Sequence, residues 1–196
     1  MNQSMNPVTL DLRPILKLSH DQFEQIVATN RDLQLELTAT GELIIMPPTG
    51  GNTGRRNADL TYQLRAWNRQ TQLGEIFDSS TIFQLPNGAE RSPDAAWVRS
   101  ERWNALTLAE QDGIPPLCPD FVVELRSRTD SLKGLPGKML EYMENGCCLG
   151  WLLNYQQREV EIYRRDREKE VLRLPKTLSG EDILPGFKLD LQFIWR

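Results

Sequence analysis

The chain is poor in the side chains from which most zinc sites and activated nucleophiles are built. Its single histidine, His20 in "LSHDQFEQ", has no second imidazole to pair with, and any histidine-activated nucleophile would rest on His20 alone. The three cysteines, Cys118, Cys147 and Cys148, are odd in number and two are adjacent. That spacing suits neither a disulfide framework nor zinc ligands, so they read as small apolar fillers. No apolar run approaches the roughly 20 residues that cross a bilayer, and the opening "MNQSMNPVTLDLRP" lacks the basic start and apolar core of a signal peptide. The expectation is a cytoplasmic protein with no membrane partner. An excess of positive charge is missing too: a net charge of −4 mildly repels nucleic acid, so any such contact needs a local basic face.

What is present suits a folded core. A chain of 196 residues, 39% hydrophobic, most simply makes one domain over 1–196, with residues 1–14 as an extended arm. "SHDQFEQIVATN" opens with Ser19 and has Gln22 three residues on, a capping-box pattern, and predicts a helix over 19–30 with Phe23, Ile26 and Val27 on its apolar face. "LQLELTATGELIIMP" alternates Leu33, Leu35 and Leu37 against Gln34, Glu36 and Thr38, turns at Thr40-Gly41 and returns as a hairpin. Leu60, Leu64 and Trp67 predict a second helix over 54–72. Short β-rich runs then surround an Asn87-Gly88 turn and end in a strand from Ala95 to Val98, followed by a helical piece near 101–111. "DFVVELR" is a continuous run of β-formers, as in a central strand covered on both faces. A helix from about Pro136, with Leu140, Tyr142 and Met143 in helical spacing, stops at Gly146, and alternating strands follow with Val160 and Ile162 inward. The order implies an α/β or mixed α+β fold with a three-layer core.

Charged residues inside these elements carry the chemistry. Glu36 lies on the polar face of the hairpin, Asp94 follows Pro93 at a strand start, and Glu124 sits in the most apolar strand of the chain. Carboxylates are seldom buried without a partner or a metal. Glu124 and Arg126, two apart in a strand, share a face, and an ion pair at the strand's end is one reading. The other is convergence of Glu124 with Asp94 on Mg²⁺, a hard cation that takes oxygen ligands. A second feature is "GGNTGRRNADLTYQLRAWNRQ", where Arg55, Arg56, Arg65 and Arg69 accompany Trp67 as either a nucleic-acid face or a merely solvated one.

The segments "SPDAAWV" and "PDFVVELRSRTDSLKGLPGKMLEYMENG", with "LGWLLN" and "VEIYR" after them, resemble the restriction-endonuclease-like group of small bacterial proteins, abundant in cyanobacteria, within the PD-(D/E)XK nuclease superfamily. The likeness runs from about Leu18 to Tyr163. It implies a restriction-endonuclease-like core, a mixed central β-sheet flanked by helices. By the same resemblance Asp94 matches the aspartate of the "PD" element, Glu124 the acidic residue of (D/E)XK, and Glu36 an acidic residue that follows the first helix. It also implies a DNA endonuclease that uses Mg²⁺, with Mn²⁺ as a substitute, and no organic cofactor, and it implies a homodimer. Asp94, Glu124 and Glu36 would be its metal ligands. The segments "LGWLLNY", "VEIYRR" and "FIWR" offer a dimer surface.

The departure lies at the third element, where Arg126 stands in place of lysine. Arginine stays protonated and cannot take a proton as a lysine of lowered pKa can, although it can clamp a phosphate. Lys138, on the following helix, is a relocated substitute if it reaches back, and a solvated helix lysine if it does not. Lys133 is a weaker candidate, and Ser127 reads as a cap or turn residue. A nucleic-acid-binding or regulatory module on a nuclease fold that has lost turnover is the competing expectation.

Overall fold

The computed structural model describes residues 6–126 and 134–196. The arm contributes a strand, β1 (Val8–Asp11), and Ser19 caps α1 (His20–Thr29) with the full capping box, Gln22 N–H to the Ser19 hydroxyl and Ser19 N–H to the Gln22 side chain. β2 (Gln34–Leu37) and β3 (Glu42–Met46) form the expected hairpin around Gly41, whose φ of +92° suits a residue without Cβ. α2 (Gly51–Thr71) follows, then β4 (Gly74–Asp78), β5 (Phe83–Gln84), β6 (Glu90–Arg91) and β7 (Ala95–Arg99). The helical piece near 101–111 is two short helices, α3 (Ser100–Asn104) and α4 (Leu108–Asp112). β8 (Phe121–Leu125), α5 (Gly134–Glu144), β9 (Leu149–Asn154), β10 (Glu159–Arg164), β11 (Glu170–Arg173), β12 (Thr177–Ser179) and β13 (Lys188–Asp190) complete the order.

Among the described residues the strands form a six-stranded sheet, β11-β10-β9-β8-β7-β4, a five-stranded sheet, β1-β3-β2-β6-β5, and the pair β12-β13. The large sheet is mixed: β8 and β9 run parallel with α5 between them in sequence, and the other neighbours are antiparallel. β8 lies inside this sheet with all five residues buried, which is why its sequence is apolar without alternation. On one face, Leu60 and Leu64 of α2 join Leu184, Phe187, Leu189 and Ile194 over Trp97, Phe121, Val123 and Trp151. On the other, Met139 and Tyr142 of α5 pack with Phe83 and Leu85 over Ala96, Val122 and Leu152. The three-layer α/β core is therefore present, with the smaller sheet covering part of one face, and α1 closes that smaller sheet by laying Phe23 on Leu35, Leu37 and Leu43.

Several expectations change. Alternation puts Glu36 on a polar face, but it is buried at 3% exposure, because α5 lies over that face and Lys138, Arg91 and the Ser92 N–H close on its carboxylate. Leu140 is 53% exposed, and Met139 and Tyr142 take the buried face of α5 instead. Of the segments expected to offer a dimer surface, all six residues of β9 are buried between β8 and β10 and Ile194 is fully enclosed, whereas β10 is partly buried and Phe193 is exposed. The basic run also divides. Arg55 and Arg56 donate to main-chain oxygens of Phe193, Ile194 and Arg196, and the Arg56 guanidinium lies 3.9 Å from the Tyr155 ring centre. Trp67 packs inward against Trp97 and Phe187 and donates to Pro185 O. Among the described residues, no helix is long and apolar enough to cross a membrane.

Gly150 on β9 sets how closely α5 approaches the sheet, since a Cβ there would sit 2.5 Å from Met139 Cε and 3.0 Å from Met143 Cε. Gly150→Val forces both methionines of α5 aside. It is expected to lower stability by about 1–3 kcal/mol in urea denaturation, the usual cost of overpacking a filled core. An unchanged midpoint would mean that α5 has slack against the sheet.

Candidate active site

Four separate parts of the chain meet beneath α5. β2 brings Glu36, the segment after β6 brings Ser92 and Asp94, β8 brings Glu124, and α5 brings Lys138, Glu141 and Tyr142. Residues 138, 141 and 142 are three and four apart, so one helix face presents all three toward the sheet. Lys138 Nζ lies 2.7 Å from Glu36 Oε1 and 2.8 Å from Glu124 Oε1, and it also donates to Ser92 O at 3.3 Å. Arg91 Nη1 reaches Glu36 Oε2 at 3.2 Å, and Ser92 N–H donates at 3.0 Å to Oε1, the oxygen Lys138 also uses. Arg91 Nε in turn reaches Glu141 Oε2 at 2.6 Å. The result is a buried chain of alternating charge, Glu141, Arg91, Glu36, Lys138, Glu124.

Asp94 stands beside this chain. Ala95 of β7 pairs with Val123 of β8 in antiparallel register, so the next step sets Asp94 opposite Glu124. Its Oδ2 accepts the Leu125 N–H at 2.7 Å, and its Oδ1 accepts Asn57 Nδ2 from α2 at 2.6 Å. Glu124 Oε1 also accepts the Tyr142 hydroxyl at 3.1 Å. No donor among the described residues is directed at Glu124 Oε2.

The two buried glutamates titrate in opposite directions. Burial alone raises Glu36, but the Lys138 and Arg91 charges and the Ser92 N–H outweigh it and hold the carboxyl below its usual range. Burial likewise dominates at Glu124, where Lys138 opposes it and the nearby Asp94 and Glu36 charges add to it, pushing the carboxyl up to about 7. Lys138 is raised: burial lowers it, and Glu124 and Glu36 more than reverse that, so it is a firm ammonium. The Tyr142 hydroxyl, enclosed and facing Glu124, stays protonated.

Of the expected site residues, Glu36, Asp94, Glu124 and Lys138 are thus brought together, and Arg126 is not. Its Nη1 donates to Asn154 Oδ1 at 3.2 Å, and the cation that pairs with Glu124 is Lys138, which replaces the anticipated Glu124–Arg126 ion pair. Lys133 and Ser127 lie outside the described residues. The three-carboxylate ligand set does not close either: among the described residues no group of three or more His, Cys, Asp or Glu side chains is placed to hold a metal ion, and Glu36 already has its oxygens on Lys138, Arg91 and Ser92. Sequence reasoning missed Asn57, Arg91, Glu141 and Tyr142. The one available signal was the polar spacing of 138, 141 and 142 on an otherwise apolar helix.

The model of the Uma2 family, described as "Putative restriction endonuclease", matches residues 20–192. The chain belongs to the Uma2 family. Its site therefore occupies the span that defines the family, with the first and last contributors, Glu36 and Tyr142, well inside the match. No curated protein matches this Uma2 chain. A solved structure does, that of "a putative nuclease belonging to DUF820 from Anabaena variabilis ATCC 29413". It superposes with a TM-score of 0.71 over 82% of this chain and 89% of that one at 17% identity, a likeness of fold.

Two outcomes follow for the Uma2 chain without metal. Glu36→Gln leaves two buried cations short of a partner and is expected to cost about 3–5 kcal/mol, read by urea denaturation. A loss below about 1 kcal/mol would mean that the cluster is wet and its ion pairs screened. Glu124 binds its proton more tightly folded than unfolded, so its stabilising contribution is full below about 4.5 and is lost as pH rises through about 7. Glu124→Gln should therefore gain stability relative to wild type between about pH 5 and pH 8. Parallel profiles for the two proteins would show that Glu124 titrates normally.

Proposed function

We propose that the chain is a metal-dependent endonuclease that hydrolyses phosphodiester bonds in DNA, with Asp94 and Glu124 as the carboxylates that hold a divalent cation. The observation that carries this reading is the setting of Glu124. Its Oε1 is fixed by Lys138 and Tyr142, its Oε2 has no donor among the described residues, and its ionised form is disfavoured at neutral pH unless more positive charge arrives. Asp94 lies opposite it across the β7–β8 pair. Two oxygen donors on adjacent strands fit Mg²⁺, which is commonly held by one or two carboxylates together with substrate phosphate and water, and Mn²⁺ takes the same donors. When bound, such a cation supplies Lewis-acid chemistry: it acidifies water and offsets negative charge on phosphate.

The chain's own residues supply the rest. Asn57 and the Leu125 N–H orient the two oxygens of Asp94, and Tyr142 orients Glu124. Lys138 stays protonated, with its three N–H groups on Glu36, Glu124 and Ser92 O, so its part is to place a fixed positive charge beside the scissile phosphate. It is not a general base. Glu36 acts through Lys138, anchoring the ammonium from the side away from Glu124. Arg126, held on Asn154, has no share in this step.

Nicking of supercoiled plasmid with Mg²⁺ or Mn²⁺ tests the proposal. Asp94→Ala and Glu124→Ala are expected to abolish cleavage, Lys138→Ala to lower it by about 10²-fold or more, and Arg126→Ala to leave it within a few fold. Wild-type protein that cuts no DNA with either metal, or carboxylate variants that cut as well as wild type, would sink the proposal. Metal-independent DNA affinity in a chain that never cuts would favour the binding module instead.

A further inference from the structure

The solvent-facing side of α2 carries a groove of about 710 Å³ that begins at Asn57, the residue that holds Asp94, and runs past Tyr62 and Arg65 to Arg69. Its other wall is the end of β4, with Asp78 and Ser79. The volume falls within the range of ligand clefts. Tyr62 is 70% exposed, and among the described residues its ring stacks on no other aromatic ring. Arg65 and Arg69 are one helical turn apart on the same face. Arg65 makes only a loose pair with Glu75 at 3.7 Å, with both side chains about half exposed, and no carboxylate pairs with Arg69 among the described residues. Asp78 is turned into its own loop, where Oδ1 accepts both Ser80 N–H and the Ser80 hydroxyl. The end of α2 toward Arg55 and Arg56 is unlike this, its guanidiniums spent on main-chain oxygens near residues 193–196.

We infer that this groove is the path of a single nucleic-acid strand running to or from the Asp94–Glu124 site, with Tyr62 as a platform for one unstacked base and Arg65 and Arg69 as clamps on phosphates. The inference rests on the nuclease reading for where the strand leads, but the groove is specified by its own residues. A line of cations beside an exposed ring is the arrangement that tracks a single strand. An intact duplex keeps its bases stacked and offers none to the ring. The substrate class is thus a duplex with a single-stranded extension or a splayed end. Asn57 ties the two regions physically, lining the groove while its Nδ2 fixes Asp94 Oδ1.

Fluorescence anisotropy with labelled oligonucleotides tests it, with Ca²⁺ present so that binding is read without turnover. The probes are a blunt duplex, a single strand and a duplex with a single-stranded extension, in DNA and RNA versions. Arg65→Ala/Arg69→Ala is expected to weaken binding of the extended duplex about tenfold and to flatten its log–log salt slope by about 1.4, roughly 0.7 for each single-strand phosphate no longer neutralised. Tyr62→Ala should weaken it about tenfold, and Tyr62→Phe should retain affinity because stacking uses the ring and not the hydroxyl. Blunt-duplex affinity should stay within about twofold. Equal losses in the DNA and RNA versions support the groove, since phosphates and stacked bases are common to both. Variants that bind the extended duplex like wild type, or that lose blunt and extended probes alike, overturn it, as does wild-type protein that binds no probe. The two readings separate cleanly. A chain that cuts neither plasmid nor the extended duplex with Mg²⁺ or Mn²⁺ but loses strand affinity with Tyr62→Ala keeps the groove and loses the hydrolysis. One that cuts in an Asp94-dependent way with unaltered strand affinity does the reverse.

Discussion

The buried cluster depends on one carboxylate. Glu36, 3% exposed on β2, accepts Lys138 on one oxygen and Arg91 on the other, and also takes the Ser92 N–H, and so ties the smaller sheet to α5 and to the segment that carries Asp94. Without it the ammonium of Lys138 would face only Glu124, whose own ionisation is disfavoured by burial. With it, Lys138 remains charged and is fixed from two sides. A buried ion pair of this kind is weak support for stability, because desolvation offsets most of the attraction, but it is strong support for position, because its geometry admits few alternatives.

Charge balance gives Glu124 its character. Arg91 and Lys138 together match Glu36 and Glu141, so within this chain Glu124 is the odd negative charge, and burial first, then the nearby Asp94 and Glu36 charges, against the opposing Lys138, retain its proton to about 7. A fold selected only for stability would place an amide or an apolar group there. On the proposed reading, a carboxylate kept in a position that opposes its own charge would serve an incoming cation, and function and stability would then oppose each other at a single residue.

Much of this is legible from residue order, and the limits are physical. Local signals succeed where local energetics decide: the Ser19–Gln22 capping box, the hairpin through Gly41 and the run of β-formers in β8 all form. Pattern reading fails where a second layer overrides the first. Alternation assigns Glu36 to solvent because the strand alone cannot reveal that a helix will cover its polar face. Arg126 attracts attention by standing two residues from Glu124, yet the end of a strand lets a long side chain turn to a neighbour, and Asn154 captures it. Lys138 is 14 residues from Glu124 in sequence and 2.8 Å away in space. Only the β8–α5–β9 connection, which lays the helix over the strand it follows, turns that separation into contact.

The same helix-over-sheet logic applies to α2, and it gives that helix two ends with different roles. Leu60 and Leu64 fix it to the core, and at that depth Asn57 meets Asp94. Toward its start the guanidiniums of Arg55 and Arg56 close the chain's last residues against the body of the protein. Farther along, the face turned from the core carries Tyr62, Arg65 and Arg69, of which, among the described residues, only Arg65 has an ion pair, the loose one with Glu75. A run of arginines that looks uniform in sequence is thus divided by what each turn of the helix finds beside it. The net charge of −4 makes that division matter, since an acidic protein that approaches a polyanion must do so through the few cations its fold leaves uncommitted.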